Sequence, residues 1–201
     1  VKNRVFIDYT LNNASKYSKL DLEYLFLGKE NKGYIIDFKV ISLSAREEAI
    51  NLLKGLMEDD SINKVIHDGK NLVTFLNKNN IKIKGFDFDT AIAAYLIDSS
   101  KSKYEILELV NQYIGDNPGG EGVNLKGILV SYLPEIYNIV KDKIHDENMD
   151  ELYYNVEHPL IYVLSSMESS GFNINAEILD ELQVKFKKEI EEQFKGKLSD
   201  E

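Results

Sequence analysis

The first residue placed to do chemistry is Asp8. It closes the apolar run Val5, Phe6, Ile7 in the stretch VFIDYTLNN (5–13). A carboxylate at the end of a buried strand could anchor a divalent ion for phosphodiester cleavage, in which two ions stabilise the attacking and leaving oxygens. Hard cations of that kind need several anionic oxygens, so a second acid is wanted two residues later. Thr10 stands there instead. The opening strand therefore poses a choice between acids kept elsewhere in the chain and acids lost.

Other candidates weigh less. Asp68 follows an apolar run in IHDGKN and reads as a cap for the next helix rather than a metal ligand. In FDFD, Asp89 reads as the next helix cap, with Asp87 facing solvent. His67, His145 and His158 are far apart and lack HExxH or i, i+4 spacing, so no histidine metal site is expected. Tyr132 reads as a core or rim tyrosine. The NPGGEG loop lacks the lysine and strand context of a phosphate-binding loop. No serine–histidine–aspartate arrangement has supporting context.

The elements that must position these residues are legible from pattern. RVFIDY (4–9), EYLFLG (23–28) and GYIIDF (33–38) are rich in aromatic and β-branched residues, with the hairpin signal GKENKG between the last two. The segment 42–59 predicts a helix with Ser44 as N-cap and Glu47 completing a capping box. A short strand is expected at 63–68, a helix from Lys70 to Asn79 or Asn80, a strand at 83–89 and a helix at 90–98. Three meandering strands followed by strand–helix alternation predict an α/β fold, a mixed sheet with helices on its faces. Beyond Ser102 the chain reads as helical apart from a loop at 115–124 and an extended break, FNIN, at 172–175. In residues 176–197 the spacing of Ile178, Leu182, Phe186, Ile190 and Phe194 gives a long amphipathic helix whose stripe needs a partner.

The chain has 201 residues, enough for one sizeable core with a second element attached. It has no cysteine, which excludes disulfides and thiolate metal sites and fits a reducing, cytoplasmic setting. It begins at Val1, as expected of an excised fragment, and no apolar run is long enough to span a bilayer. The net charge of −10 opposes tight, sequence-independent nucleic-acid binding by this chain alone. KNNIKIK (78–84) and KFKKE (185–189) read as solvated faces rather than basic patches.

The order of segments carries a family resemblance over essentially the whole chain. VFIDYT, VIHDGKNLVTFL, FDTAIAAYLIDS (88–99), ILELVNQYIG and EHPLIYVLSSMESSGFNIN (157–175) resemble the 3′–5′ exonuclease-like domain of bacterial DNA polymerase I, a family A polymerase. The resemblance implies a ribonuclease H-like mixed sheet flanked by helices, with four carboxylates holding two metal ions in active members. It also implies an exonuclease-like domain at 1–170, followed at 171–201 by a linker and the first, truncated helix of the polymerase thumb.

Carried over position by position, that pattern is degenerate. Asp8 matches the acid of the first motif, but Thr10 replaces its partner. Phe75 stands at the second-motif acid, and the third motif keeps Tyr132 but has Ile136 for its acid. One ligand of four remains, so no catalytic or metal site is expected. Phe75 and Ile136 are expected to fill the cleft with apolar bulk. What the resemblance then implies is a silent domain that supports the polymerase domain of the same chain in DNA replication and repair. DNA would be met through the full-length enzyme, with Mg²⁺ confined to the polymerase domain and no membrane involved. The alternative is a residual exonuclease whose acids have moved to Asp8, Asp68, Asp89 and Glu135.

Overall fold

The computed structural model describes residues 3–12, 21–29, 32–171, 173 and 175–198. They fall into two compact units, 1–169 and 170–201. In the first, the strands β1 (Asn3–Asn12), β2 (Asp21–Lys29), β3 (Lys32–Asp37), β4 (Ile62–Ile66) and β5 (Phe86–Asp89) form one sheet in the order β3-β2-β1-β4-β5. The two hairpin partners β1–β2 and β2–β3 are antiparallel, whereas β1–β4 and β4–β5 are parallel. The mixed sheet expected from the segment order is thus present. The tip of the β2–β3 hairpin (30–31) lies outside the described residues.

The helices are α1 (Leu43–Glu58), α2 (Lys70–Lys78), α3 (Thr90–Ile97), α4 (Ile106–Leu109), α5 (Gly122–Leu129), α6 (Leu133–Asp146), α7 (Asp150–Leu152) and α8 (His158–Ser170). π-helical turns at Val110–Ile114 and Tyr153–Glu157 extend α4 and join α7 to α8. The loop before α5 is shorter than the Gly- and Asn-rich composition predicts, because Gly122 and Val123 already lie in the helix. The second unit holds α9 (Ala176–Leu198), as the four-residue spacing predicts. Within it Ile178, Leu182, Phe186 and Ile190 are all exposed, and Lys185 meets Glu189 at 3.9 Å on a solvated face. The Phe194 side chain, and Phe172 and Ile174 of the FNIN break, lie outside the described residues.

Side chains alternate across a strand, and this alternation divides the core. Phe6, Phe26 and Val65 point to one face, where they pack with Ala93, Leu109, Val130, Leu133, Ile136 and Tyr153. Ile7, Leu25 and Ile66 point to the other, under α1 and α2, with Phe38, Met57, Leu72, Phe75 and Ile161. Asp8 is two residues beyond Phe6 and is paired with Phe26 across the ladder, so it belongs to the first face.

Close backbone approach sets α5 on that face. A Cβ at Gly33 would come within 1.8 Å of the Gly127 carbonyl oxygen, and one at Gly127 within 2.5 Å of Ile35 Cδ1. Only two glycines facing each other let the helix lie this near the strands. Lys126, beside Gly127, is thereby carried over the end of β1.

Two caps differ from the pattern. The N-cap of α1 is Ser42, whose Oγ accepts from Ala45 N at 3.4 Å, rather than Ser44. Ser44 lies inside the helix, its hydroxyl 3.0 Å from that of Ser42, so the helix starts earlier than the capping box suggests. Asp68 does not cap α2: the N-cap residue is Gly69, and it makes no side-chain cap bond. Asp68 instead sits in the left-handed region at φ 51°.

Candidate functional site

β1 and β4 are parallel neighbours, so their carboxyl ends open side by side, the position at which open α/β sheets form their crevices. His67 N donates to Ile7 O at 3.0 Å and holds the two ends together. A cleft of about 710 Å³ opens there. It is lined by Asp8 and Thr10 of β1, His67 and Asp68 just after β4, Asn71 of α2, and Tyr95, Lys103, Tyr104, Glu105 and Lys126.

Asp8 is buried, with 5% of its surface exposed. Its Oδ1 accepts the Tyr9 N–H at 2.8 Å, and its Oδ2 faces Lys126 Nζ at 3.4 Å. Burial raises the Asp8 carboxyl above the ordinary range, and Lys126 is the main influence pulling it back. The ammonium also lies 5.8 Å from the Phe26 ring centre. A lysine thus stands where a metal ion would have to approach this carboxylate.

The cleft is open, and neither Phe75 nor Ile136 fills it, contrary to expectation. Phe75 is 2% exposed and belongs to the core on the opposite sheet face from Asp8. From α2, Asn71 reaches the cleft and Phe75, one turn further on, does not. Ile136 is on the correct face but fully buried among Leu133, Val140 and Phe88. Tyr132 also stays out of the cleft; its hydroxyl donates to Asp116 Oδ2, in the loop before α5, at 2.5 Å. Of the motif positions, the fold brings together Asp8 and Thr10.

The relocated acids are similarly divided. Asp68 shares the cleft with Asp8, and Tyr9 OH donates to its carbonyl at 2.5 Å. Glu135 is exposed and lies outside the cleft. Asp89 is buried and committed to backbone groups. Its Oδ1 accepts from Asp68, Ala91 and Ile92 N at 3.2, 2.9 and 3.2 Å, and its Oδ2 accepts from Gly69 N at 2.7 Å. The expected cap of α3 is present, and the same carboxylate also satisfies the turn into α2. Asp87, expected in solvent, is half-buried and pairs with Arg4 at 3.4 Å.

These groups do not fit a two-ion site. One carboxylate is matched by a lysine, another is saturated by N–H donors, and two lysines share the cleft with the acids. Among the described residues no group of three or more histidines and acids is placed to hold a metal ion. Lys126 carried no motif in the sequence. Its signal was indirect: a glycine beside it inside a helix marks close backbone approach.

The histidines serve the fold. His67 is buried, with Nδ1 2.9 Å from Thr90 Oγ1, and burial lowers its pKa to about 4. His158 packs edge-on to Phe86, and exposed His145 meets Asp150 at 2.7 Å. Because His67 takes up a proton more readily when unfolded, its contribution is complete above pH 6.5 and is lost as pH falls towards 4. Asp89, raised to about 6 by burial, acts with the opposite sign. Comparing wild type with His67→Gln cancels the Asp89 contribution. Between neutral pH and the acid end of that window, wild type should lose about 3 kcal/mol relative to the variant, at roughly 1.4 kcal/mol per pKa unit. Urea unfolding at both pH values measures it; a pH-independent difference would mean that His67 is not held neutral.

The DNA polymerase I, ribonuclease H-like domain family model matches residues 11–117. The chain belongs to that family. DNA polymerase I of Caldicellulosiruptor bescii is 27% identical over 182 residues, covering 90% of this chain and 21% of the relative. The chain therefore spans about a fifth of that protein's length. Among solved structures, the POL domain of Pol1 from M. smegmatis, in complex with DNA primer-template and dNTP, superposes with a TM-score of 0.75 at 19% identity. The match covers 96% of this chain and 33% of that one. Brucella melitensis NrnC with bound Mg²⁺ gives a TM-score of 0.62 at 17% identity, covering 87% and 90% of the two chains. Both likenesses establish the fold, the ribonuclease H-like mixed sheet expected from the segment order.

Proposed function

We propose that this chain is a catalytically silent exonuclease-like domain of a DNA polymerase I, which supports the polymerase domain of the same polypeptide. The observation that carries it is the Asp8–Lys126 pair: the carboxylate retained from the first motif is buried and already matched by an ammonium at 3.4 Å. A divalent ion would have to displace that lysine and then find further anionic ligands, and Mg²⁺ gives up its waters reluctantly. Thr10 offers a neutral hydroxyl beside it, and Asp89 has no oxygen free of N–H donors. Residues 1–170 are the silent domain, and 171–201 are the linker and first helix of the polymerase thumb. The parent enzyme copies DNA in replication and repair in the cytoplasm, using Mg²⁺ held in its polymerase domain. Among the described residues no helix is long and apolar enough to cross a membrane.

The test is digestion of 3′-labelled single-stranded DNA by this chain with Mn²⁺ in excess, beside Asp8→Ala. Wild type should release no nucleotide above the variant's background. Digestion that depends on Asp8 would overturn the silent-site reading and favour the relocated-acid exonuclease.

A further inference from the structure

A helix at the edge of a domain buries one stripe and presents polar residues on the other side. α8 departs from this. Its inner stripe, His158, Ile161 and Ser165, is buried, with Thr74 Oγ1 donating to Ser165 Oγ at 3.0 Å. On the far side Leu160, Val163, Leu164 and Met167, at spacing i, i+3, i+4, i+7, are 39%, 51%, 39% and 63% exposed. Val156, one turn earlier, continues the stripe at 52%. Its acidic neighbour Glu168 is drawn towards α2 by Lys70 at 2.6 Å, leaving the stripe uncharged.

A helix that is apolar on both sides belongs inside a larger body. An uncharged stripe of Leu, Val and Met suits a permanent interface, since such interfaces resemble a domain core cut in half. The match to the M. smegmatis chain covers 96% of this one but only 33% of that folded body, so most of the larger protein lies beyond the matched part.

We infer that the apolar face running from Val156, in the turn before α8, along α8 to Met167 is the docking surface for the polymerase part of the parent polypeptide. The inference rests on the polymerase reading above and adds where the contact is made. Cover within one chain removes the aggregation hazard that such a patch carries on a free surface.

Methionine oxidation tests it, because the rate follows exposure. The chain has three methionines: Met167 is exposed, and Met57, fully buried, reports any unfolding. In dilute peroxide Met167 should oxidise quickly in the 201-residue chain and severalfold more slowly in the full-length parent, with Met57 protected in both. Val163→Glu with Leu164→Glu should leave the melting temperature of the 201-residue chain nearly unchanged, since both side chains are exposed, yet abolish the protection of Met167 in the parent. Equal oxidation of Met167 in both proteins overturns the proposal. So does protection in the 201-residue chain that rises with a dimer in sedimentation, which would assign the stripe to a second copy. A parent that extends no primer sinks the polymerase reading itself. One that extends primers but leaves Met167 open sinks only the docking surface.

Discussion

Ile136→Asp should fail to fold rather than gain a metal ligand. The family pattern invites this substitution as a repair of the third motif, but the side chain is fully buried between the sheet and α6. Removing it forfeits roughly 1.5–3 kcal/mol of apolar burial. Placing a carboxyl there with no partner costs several kcal/mol more, even after the group protonates. Together these approach the whole stability of an ordinary domain, about 5–15 kcal/mol. The expected outcome is an insoluble product, or one with no cooperative thermal transition by near-ultraviolet circular dichroism. Ile136→Val is the control and should cost only about 0.5–1.5 kcal/mol. Phe75→Asp should fail in the same way, from the opposite face of the sheet. A stable Ile136→Asp protein that binds Mg²⁺ in calorimetry would place this position in the cleft and restore the motif alignment.

That contrast separates what the sequence carries from what it hides. The strands were legible because β-branched and aromatic residues cluster between turn signals, and the hairpins follow from their order. α9 was legible from a stripe repeated every fourth residue. Asp8 and Thr10 were found because both sit on one strand, where a spacing of two fixes a common face. Phe75 and Ile136 were misplaced because a motif position on a helix depends on how that helix is rotated against the sheet. A rotation of one residue turns the side chain by about 100°, and no local pattern records it. Lys126 was missed for a related reason. Its role comes from two glycines, Gly33 and Gly127, 94 residues apart, that let α5 approach the strands.

Asp89 combines a legible part with a hidden one, and Asp89→Ala should cost about 3–5 kcal/mol. Its cap on α3 is local and worth about 0.5–2 kcal/mol in such helices. Its second role is not local: the same carboxylate accepts from Asp68 and Gly69 N, twenty-one and twenty residues earlier. Those two N–H groups begin the turn into α2, where Asp68 takes its left-handed backbone and α2 has no side-chain cap of its own. Without the carboxylate, the buried Gly69 N–H is left unpaired at about 1–3 kcal/mol, with smaller losses at the partly exposed donors. Tyr153 cannot compensate, because its hydroxyl is bound to the Asp89 backbone, accepting from N at 2.6 Å. Asp89→Asn keeps one accepting oxygen but turns an amide towards an N–H, so it should lose about half as much. The gap between wild type and Asp89→Asn should widen as pH falls from about 6 towards 4, because the folded protein protonates Asp89 more readily than the unfolded chain does. Thermal unfolding of the three proteins at two pH values measures both effects. An Asp89→Ala protein within about 1 kcal/mol of wild type would mean that water replaces the carboxylate at both turns, and that Asp89 does not tie the cleft's two helix entries together.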